Sequence, residues 1–324
     1  MATSKNVATS PEVYGDSEID RKGRRKRQLQ TTLAFWGFVG PMMLGLIIFA
    51  YIPIIWGFIL SFFEARNTIT PTDFVGLDNY TSIIGDNQFQ NSIVTILIFA
   101  VFIVPITLLF SLWLAIMVNT IKFAKGFFRS VFFLPTACSY VVASLVWRIT
   151  LFNGLPYGFA NNILYIFGLD PIIWIGTANP PYYWVVLVTV RLWLQVGFYM
   201  ILYLAGLQEI PKELYEAAYV DGAKPGGWAT FSRITFPLLR NTTIAVLLLN
   251  LIAAFQAFDE FYNILGAKSG LALLARPPLV YLYNIAFTNQ NYGAGAAGGF
   301  ILVGIIIIIT LIQGRLLGFG RSEN

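Results

Sequence analysis

Long stretches of this chain carry no charge at all. Gln28–Phe63 is one such stretch, of 36 residues; Asn87–Ile121 is another, of 35; Pro277–Gly314 is a third, of 38. A bilayer core about 30 Å thick is crossed by about 20 apolar residues as helix. In lipid only helices and closed barrels satisfy every backbone polar group. The apolar runs are continuous rather than alternating, which speaks against a barrel. Charged residues make up 11% of the chain, against about 25% in soluble domains. Too few polar side chains exist to cover a soluble fold of 324 residues. The fold class expected is all-α integral membrane with six transmembrane helices, at roughly 33–62, 92–118, 131–152, 182–206, 241–263 and 295–314. Pro41 and Pro53 are expected to bend the first span.

The basic residues set an orientation. With a cytoplasmic N-terminus, the inside segments hold 16 Lys and Arg, and the outside loops hold Arg66, Lys268 and Arg276. Arg148 and Arg191 fall within spans. This asymmetry places both termini in the cytoplasm. Residues 1–30 read as a basic cytoplasmic tail, with 1–20 polar and without a packed core, and 31–320 as one membrane domain. The cluster Arg21, Lys22, Arg24, Arg25, Lys26 and Arg27 abuts the first span and fits contact with anionic lipid better than with nucleic acid. The first span follows a polar tail and is too long for a cleaved signal.

The chain has no His and one Cys. That removes the commonest general base, Cys/His metal sites and a disulfide framework. No H-E-x-x-H, G-x-S-x-G or paired-acid pattern supports a membrane enzyme, and no G-x-x-x-x-G-K-[ST] loop is present to cradle nucleotide phosphates. No catalytic residue, metal or cofactor is expected. Cys138 is expected to be a small buried apolar residue.

One inside segment, residues 207–240, differs in composition from the rest. Pro211 can start a helix, and Leu214, Ala217 and Ala218 share a face. Gly222–Gly227 holds three Gly and one Pro, so the helix must stop and turn. A second short helix can follow through Trp228–Ile234. The picture is a helix–turn–helix below the membrane. Composition leaves it open whether this hairpin lies on lipid or docks a protein.

This segment resembles the cytoplasmic "EAA" loop of binding-protein-dependent ABC transporter permeases. That pattern is Glu-Ala-Ala, three residues, Gly, nine residues, then Ile-x-Leu-Pro. Here Glu216, Ala217 and Ala218 precede Gly222 by the same three residues, and Ile234 leads to Pro237. Two departures exist: eleven residues separate Gly222 from Ile234, and Phe236 stands in place of Leu. The extra length falls most simply in Lys224–Gly227. Phe74–Tyr80, Arg129–Pro135, Ala205–Pro211 and Phe255–Asp259 are similar, in order, to the sugar branch of maltodextrin-type and glycerol-phosphate-type permeases. The Gly-Gly-Pro frequent after the family's fifth span is replaced by ILGAKSGLALLARPP.

The resemblance implies an ABC importer type I permease fold, and a pore-forming subunit carrying a sugar, polyol or oligosaccharide. It implies a second homologous permease, two ATP-binding ATPase subunits and an extracytoplasmic solute-binding protein as partners. Glu216 is the acid expected to meet the ATPase, Asp221 either couples or closes the turn, and Gly222 serves backbone geometry. A secondary transporter or channel would leave the loop unexplained.

Charges within spans are expensive and often functional. Arg148 and the acids Asp259 and Glu260 lie at similar depth, and Arg191, with Gln195 on the same helical face, lies somewhat deeper but within reach of a long side chain. They read either as pairing that permits burial or as a lining for a hydroxyl-rich solute. Gln256 and Asn250 are candidates for solute hydroxyls, because amides donate and accept. Gly295 and Gly299 form a small-xxx-small face suited to close helix packing.

Overall fold

The computed structural model describes residues 18–266, 270 and 275–317. Among the described residues the chain is helical, with no strand beyond the isolated bridges Phe63–Phe74 and Arg66–Asn291. The expected calls on residues 1–17, Lys268 and Arg321 lie outside the described residues. Among the described residues four helical runs are long and apolar enough to cross a bilayer, and two bent pairs bring the count to six when each is one span. The protein is a multi-pass all-α membrane protein.

The chain divides into two compact units, one ending at Gly57 and one beginning at Phe58. The first unit is α1 (Glu18–Leu46), a π turn (Ile47–Tyr51) and most of α2 (Ile52–Leu60). Pro41 sits inside α1, which continues through it. Pro53 cannot accept the ordinary helical register at its preceding turn. The π turn widens there instead, and the Ile52 N–H donates to the Ile47 carbonyl.

The second unit is built on two long helices. α4 (Asn87–Thr120) follows the short helix α3 (Asp78–Gly85), and Asp86 caps it, its Oδ1 accepting from Gln88 N at 2.6 Å. α4 packs along α8 (Tyr183–Glu209). Phe99, Ile103, Leu187, Val190 and Leu194 are buried between them.

The third expected span is not one straight helix. α5 (Lys125–Phe133) passes into a 3-10 turn (Leu134–Ala137), and α6 (Tyr140–Val146) with its π turn (Trp147–Leu151) leaves at 92°. Pro135 lacks the N–H a continuous helix needs, and Cys138 and Ser139 are extended. The bend is seated on α8. Gly197 lets the Phe132 carbonyl lie where a Cβ would be only 1.9 Å away, and Thr136 Oγ1 donates to the Leu194 carbonyl at 3.1 Å. Cys138, at the break, is exposed rather than buried.

The loop after the third span carries α7 (Phe159–Ile166) and is tied by one side chain. Asn161 is buried; its Nδ2 donates to the Leu155 and Ile172 carbonyls, and its Oδ1 accepts from Ile172 N and Trp174 Nε1. All four amide hydrogen-bonding positions are thereby used.

After α8 come α9 (Lys212–Val220), α10 (Trp228–Thr230), a π turn (Phe231–Thr235) and α11 (Phe236–Leu238). α12 (Arg240–Phe255) then leaves at 67°. The fifth expected span is interrupted: α12 ends at Phe255 and α13 (Asp259–Leu265) begins four residues later. The last helices are α14 (Pro278–Tyr283), followed by a π turn (Asn284–Thr288), and α15 (Tyr292–Leu317). Gly293, Gly295 and Gly298 admit the Phe63 carbonyl, Ala286 and Leu282 closely, whereas Gly299 meets nothing within 4 Å. The small-residue face therefore packs within the chain at Gly295, and Gly299 takes no part.

Candidate functional sites: a helical hairpin and an interrupted span

The 207–240 segment folds as a hairpin. α9 ends in a Schellman motif. The Ala223 N–H donates to the Ala218 carbonyl at 2.9 Å, and the Gly222 N–H donates to the Tyr219 carbonyl at 3.1 Å. Gly222 has φ +90°, the left-handed region where a Cβ is strained. The additional residues of the turn make a second one: Gly226 has φ +67°, and the Lys224 carbonyl accepts from Gly227 N at 3.0 Å and Thr230 Oγ1 at 3.1 Å. The hairpin closes on itself where the Tyr215 hydroxyl meets Thr235 Oγ1 at 3.1 Å.

Tyr215, Ala218 and Ile234 are partly buried, while Glu216, Ala217, Asp221, Gly222 and Pro237 are exposed. The expected shared face therefore divides: Ala218 turns inward, Leu214 and Ala217 outward. Val220 is 89% exposed and Trp228 78% exposed. Large apolar side chains this open at the turn, beside Glu213, Glu216 and Asp221, make a mixed apolar and acidic surface.

The second candidate site lies at the interrupted fifth span. Arg191 on α8 pairs with Glu260 on α13, Nη1 to Oε1 at 2.7 Å, with both side chains at least nine-tenths buried. Arg191 Nη2 donates to the Ala253 carbonyl in the last turn of α12. Its guanidinium also lies over the Tyr140 ring, 5.2 Å from the centroid. One cation thus joins the third, fourth and fifth spans. Arg191 Nε, Glu260 Oε2 and Gln195 Oε1 are buried without a hydrogen-bond partner.

The sequence pointed to Asp259 as readily as to Glu260. Glu260 takes the pairing, and Asp259 stays partly exposed at the first turn of α13. Arg148 does not pair with an acid; its Nη1 donates to the Asn263 carbonyl at 2.9 Å. Gln256 is exposed in the interruption. Asn250 is fully buried, its Nδ2 donating to the Val104 carbonyl of α4 at 3.2 Å, in a closed core position rather than an open lining. Beside the interruption, Phe258 stacks on Tyr262 (5.2 Å, 18°), and both rings meet Tyr283, which meets Phe287. Sequence reasoning missed this ladder, because its members are drawn from three separate elements.

Asp86 also ties α14 to α4. The Tyr281 hydroxyl donates to Asp86 Oδ2 at 2.6 Å, Arg276 Nη2 donates to Gln88 Oε1 at 2.6 Å, and the Arg276 guanidinium lies 5.1 Å over the Tyr281 ring. Burial, with the bond to Asp86, pushes the Tyr281 phenol well above its ordinary pKa.

Residues 108–317 match the family described as binding-protein-dependent transport system inner membrane component. The arabinooligosaccharides transport system permease protein AraP of Bacillus subtilis (strain 168) is 33% identical over 293 residues, which cover 89% of each chain. The sn-glycerol-3-phosphate transport system permease protein UgpA of Agrobacterium fabrum (strain C58 / ATCC 33970) is 34% identical over 247 residues, 76% of this chain and 81% of that one. A crystal structure of a bacterial ABC transporter involved in the import of the acidic polysaccharide alginate contains a chain of the same fold. The TM-score is 0.78 at 22% identity, over 92% of this chain and 100% of that one. These proteins are transport permeases rather than enzymes, and this chain belongs to the family of inner membrane components of binding-protein-dependent transport systems.

Proposed function

We propose that this protein is a pore-forming permease subunit of an ATP-driven ABC importer for a sugar or related polyol or oligosaccharide. The 33% identity to AraP over 89% of both chains carries the sugar class. The hairpin supports the coupling role. It presents Glu216 and Val220 outward from a short helix whose end is closed by two Schellman bonds, and Trp228 outward from the start of the next. A rigid helix pair passes a partner's rotation to the membrane, whereas a floppy loop would absorb it. The chain has no phosphate-binding loop, so the nucleotide must be held by two partner ATPase subunits. A second homologous permease completes the pore, and an extracytoplasmic solute-binding protein delivers the solute.

The solute path in this reading passes the interrupted fifth span. Gln256 is exposed there and supplies an amide that can replace water on a hydroxyl. Asp259 follows it three residues on, and Arg191 is occupied by Glu260 rather than open to solute. Both termini lie in the cytoplasm, as the distribution of Lys and Arg implies. The test is co-purification of the tagged chain with its ATPase and sibling permease, followed by ATPase assay in vesicles. ATP hydrolysis stimulated by the sugar-loaded binding protein is the expected result. A chain that binds no ATPase, in cells whose sugar uptake survives ATP depletion, would overturn the reading.

A further inference from the structure

Nothing in the local sequence explains why the fifth span stops at Phe255. Ala254–Glu260 reads AFQAFDE, without Gly or Pro, and helix breaks ordinarily occur at such residues. Yet Gln256 and Phe258 leave helical geometry, Phe258 at φ −139° and ψ −61°. The Ala257 N–H donates to the Ala254 carbonyl instead of to Ala253. The Ala253 carbonyl is thereby deprived of its helical donor, and it is the one that accepts from Arg191 Nη2.

We propose that Arg191 is a positioning residue that holds the fifth span open, stapling the end of α12 to the start of α13. One guanidinium binds a carbonyl before the gap and a carboxylate after it, Ala253 and Glu260. Its planar fork holds the two acceptors in fixed directions, whereas an ammonium offers three freely rotating donors around a single point. Tyr140 covers the guanidinium from α6 and fixes where the staple sits. Rejoining α12 to α13 would restore backbone bonds along a sequence with no breaker, so the interruption persists because the staple outweighs them. The consequence is local: Gln256 is held out of the helix and exposed.

The single native cysteine makes this measurable. The full-length chain, with Cys138→Ser and Gln256→Cys, is purified in detergent and treated with N-ethylmaleimide. Position 256 is exposed and labels readily. Replacing both charges, Arg191→Met with Glu260→Met, leaves no unpaired buried ion. Labelling at 256 is then expected to slow about tenfold, as backbone bonds re-form across the gap. Arg191→Lys, which keeps the charge opposite Glu260 but replaces the rigid fork by a single rotating ammonium, serves if the double variant does not fold, and it should also slow labelling. Unchanged or faster labelling in whichever variant folds would overturn the staple. The readout does not depend on transport, so its failure is distinct from failure of the importer assignment.

Discussion

Gly197 shows how one residue decides a packing geometry. The bent third span lies on α8 only because no Cβ stands between the helix and the Phe132 carbonyl, which an added methyl would meet at 1.9 Å. Gly197→Ala is therefore expected to destabilise the chain by about 1–3 kcal/mol, the usual range for overpacking, read as a lowered Tm in detergent. Gly299→Ala is the control, since open space surrounds it inside a helix, and it should leave Tm unlowered or slightly raised. Gln256→Ala belongs to the same scale. It removes an exposed amide without touching the core, so assembly with the ATPase should persist while sugar uptake slows or changes selectivity. Normal uptake of every sugar tried by the complete importer would take Gln256 off the path.

At the scale of elements, the hairpin and the Asp86 tie behave as small rigid devices. Gly222→Asp places a side chain at φ +90°, which opposes the Schellman closure; Glu216→Lys reverses the charge of an exposed acid. Either substitution should leave the subunit in the membrane and break the link between ATP hydrolysis and uptake, measured as ATPase turnover without transport. Two variants transporting at the normal rate would count against a lever. Tyr281→Phe deletes the bond to Asp86 and should lower stability by about 1.5–3 kcal/mol, as for a hydrogen bond to a charged group. Because the Tyr281 phenol is raised by burial and by Asp86, its contribution is full below the unfolded tyrosine value of about 10. It is lost as pH climbs through the higher folded value. The wild type should thus lose stability to base in that window more steeply than Tyr281→Phe does, as followed by denaturation at rising pH.

For the molecule as a whole, the distribution of Lys and Arg makes a claim about orientation. Sixteen basic residues fall on one side and three on the other, and each charge moved across a bilayer opposes insertion. Single cysteines at exposed positions such as Trp228 and Tyr157, in a Cys138→Ser background, should label from the cytoplasmic and the outer side respectively when an impermeant maleimide is applied to intact cells and to inverted vesicles. The opposite pattern would invert the topology and remove the hairpin from the ATPase side.

The class of fold and the location of the hairpin were legible in the residues alone. Charge-free stretches of 35 residues and more admit only membrane helices, and Gly222 to Gly227 must turn wherever the chain goes. These are local or solvent-level constraints, readable one segment at a time. The tertiary structure decided the rest. Glu260 rather than Asp259 met Arg191, Asn250 turned into the core against Val104, and Cys138 came to an exposed break. The fifth span opened at a sequence that contains no helix breaker. Each of these depends on what a neighbouring helix presents at a given depth. A buried ion pair needs its partner within about 3 Å, and no spacing along one chain segment specifies that distance across two.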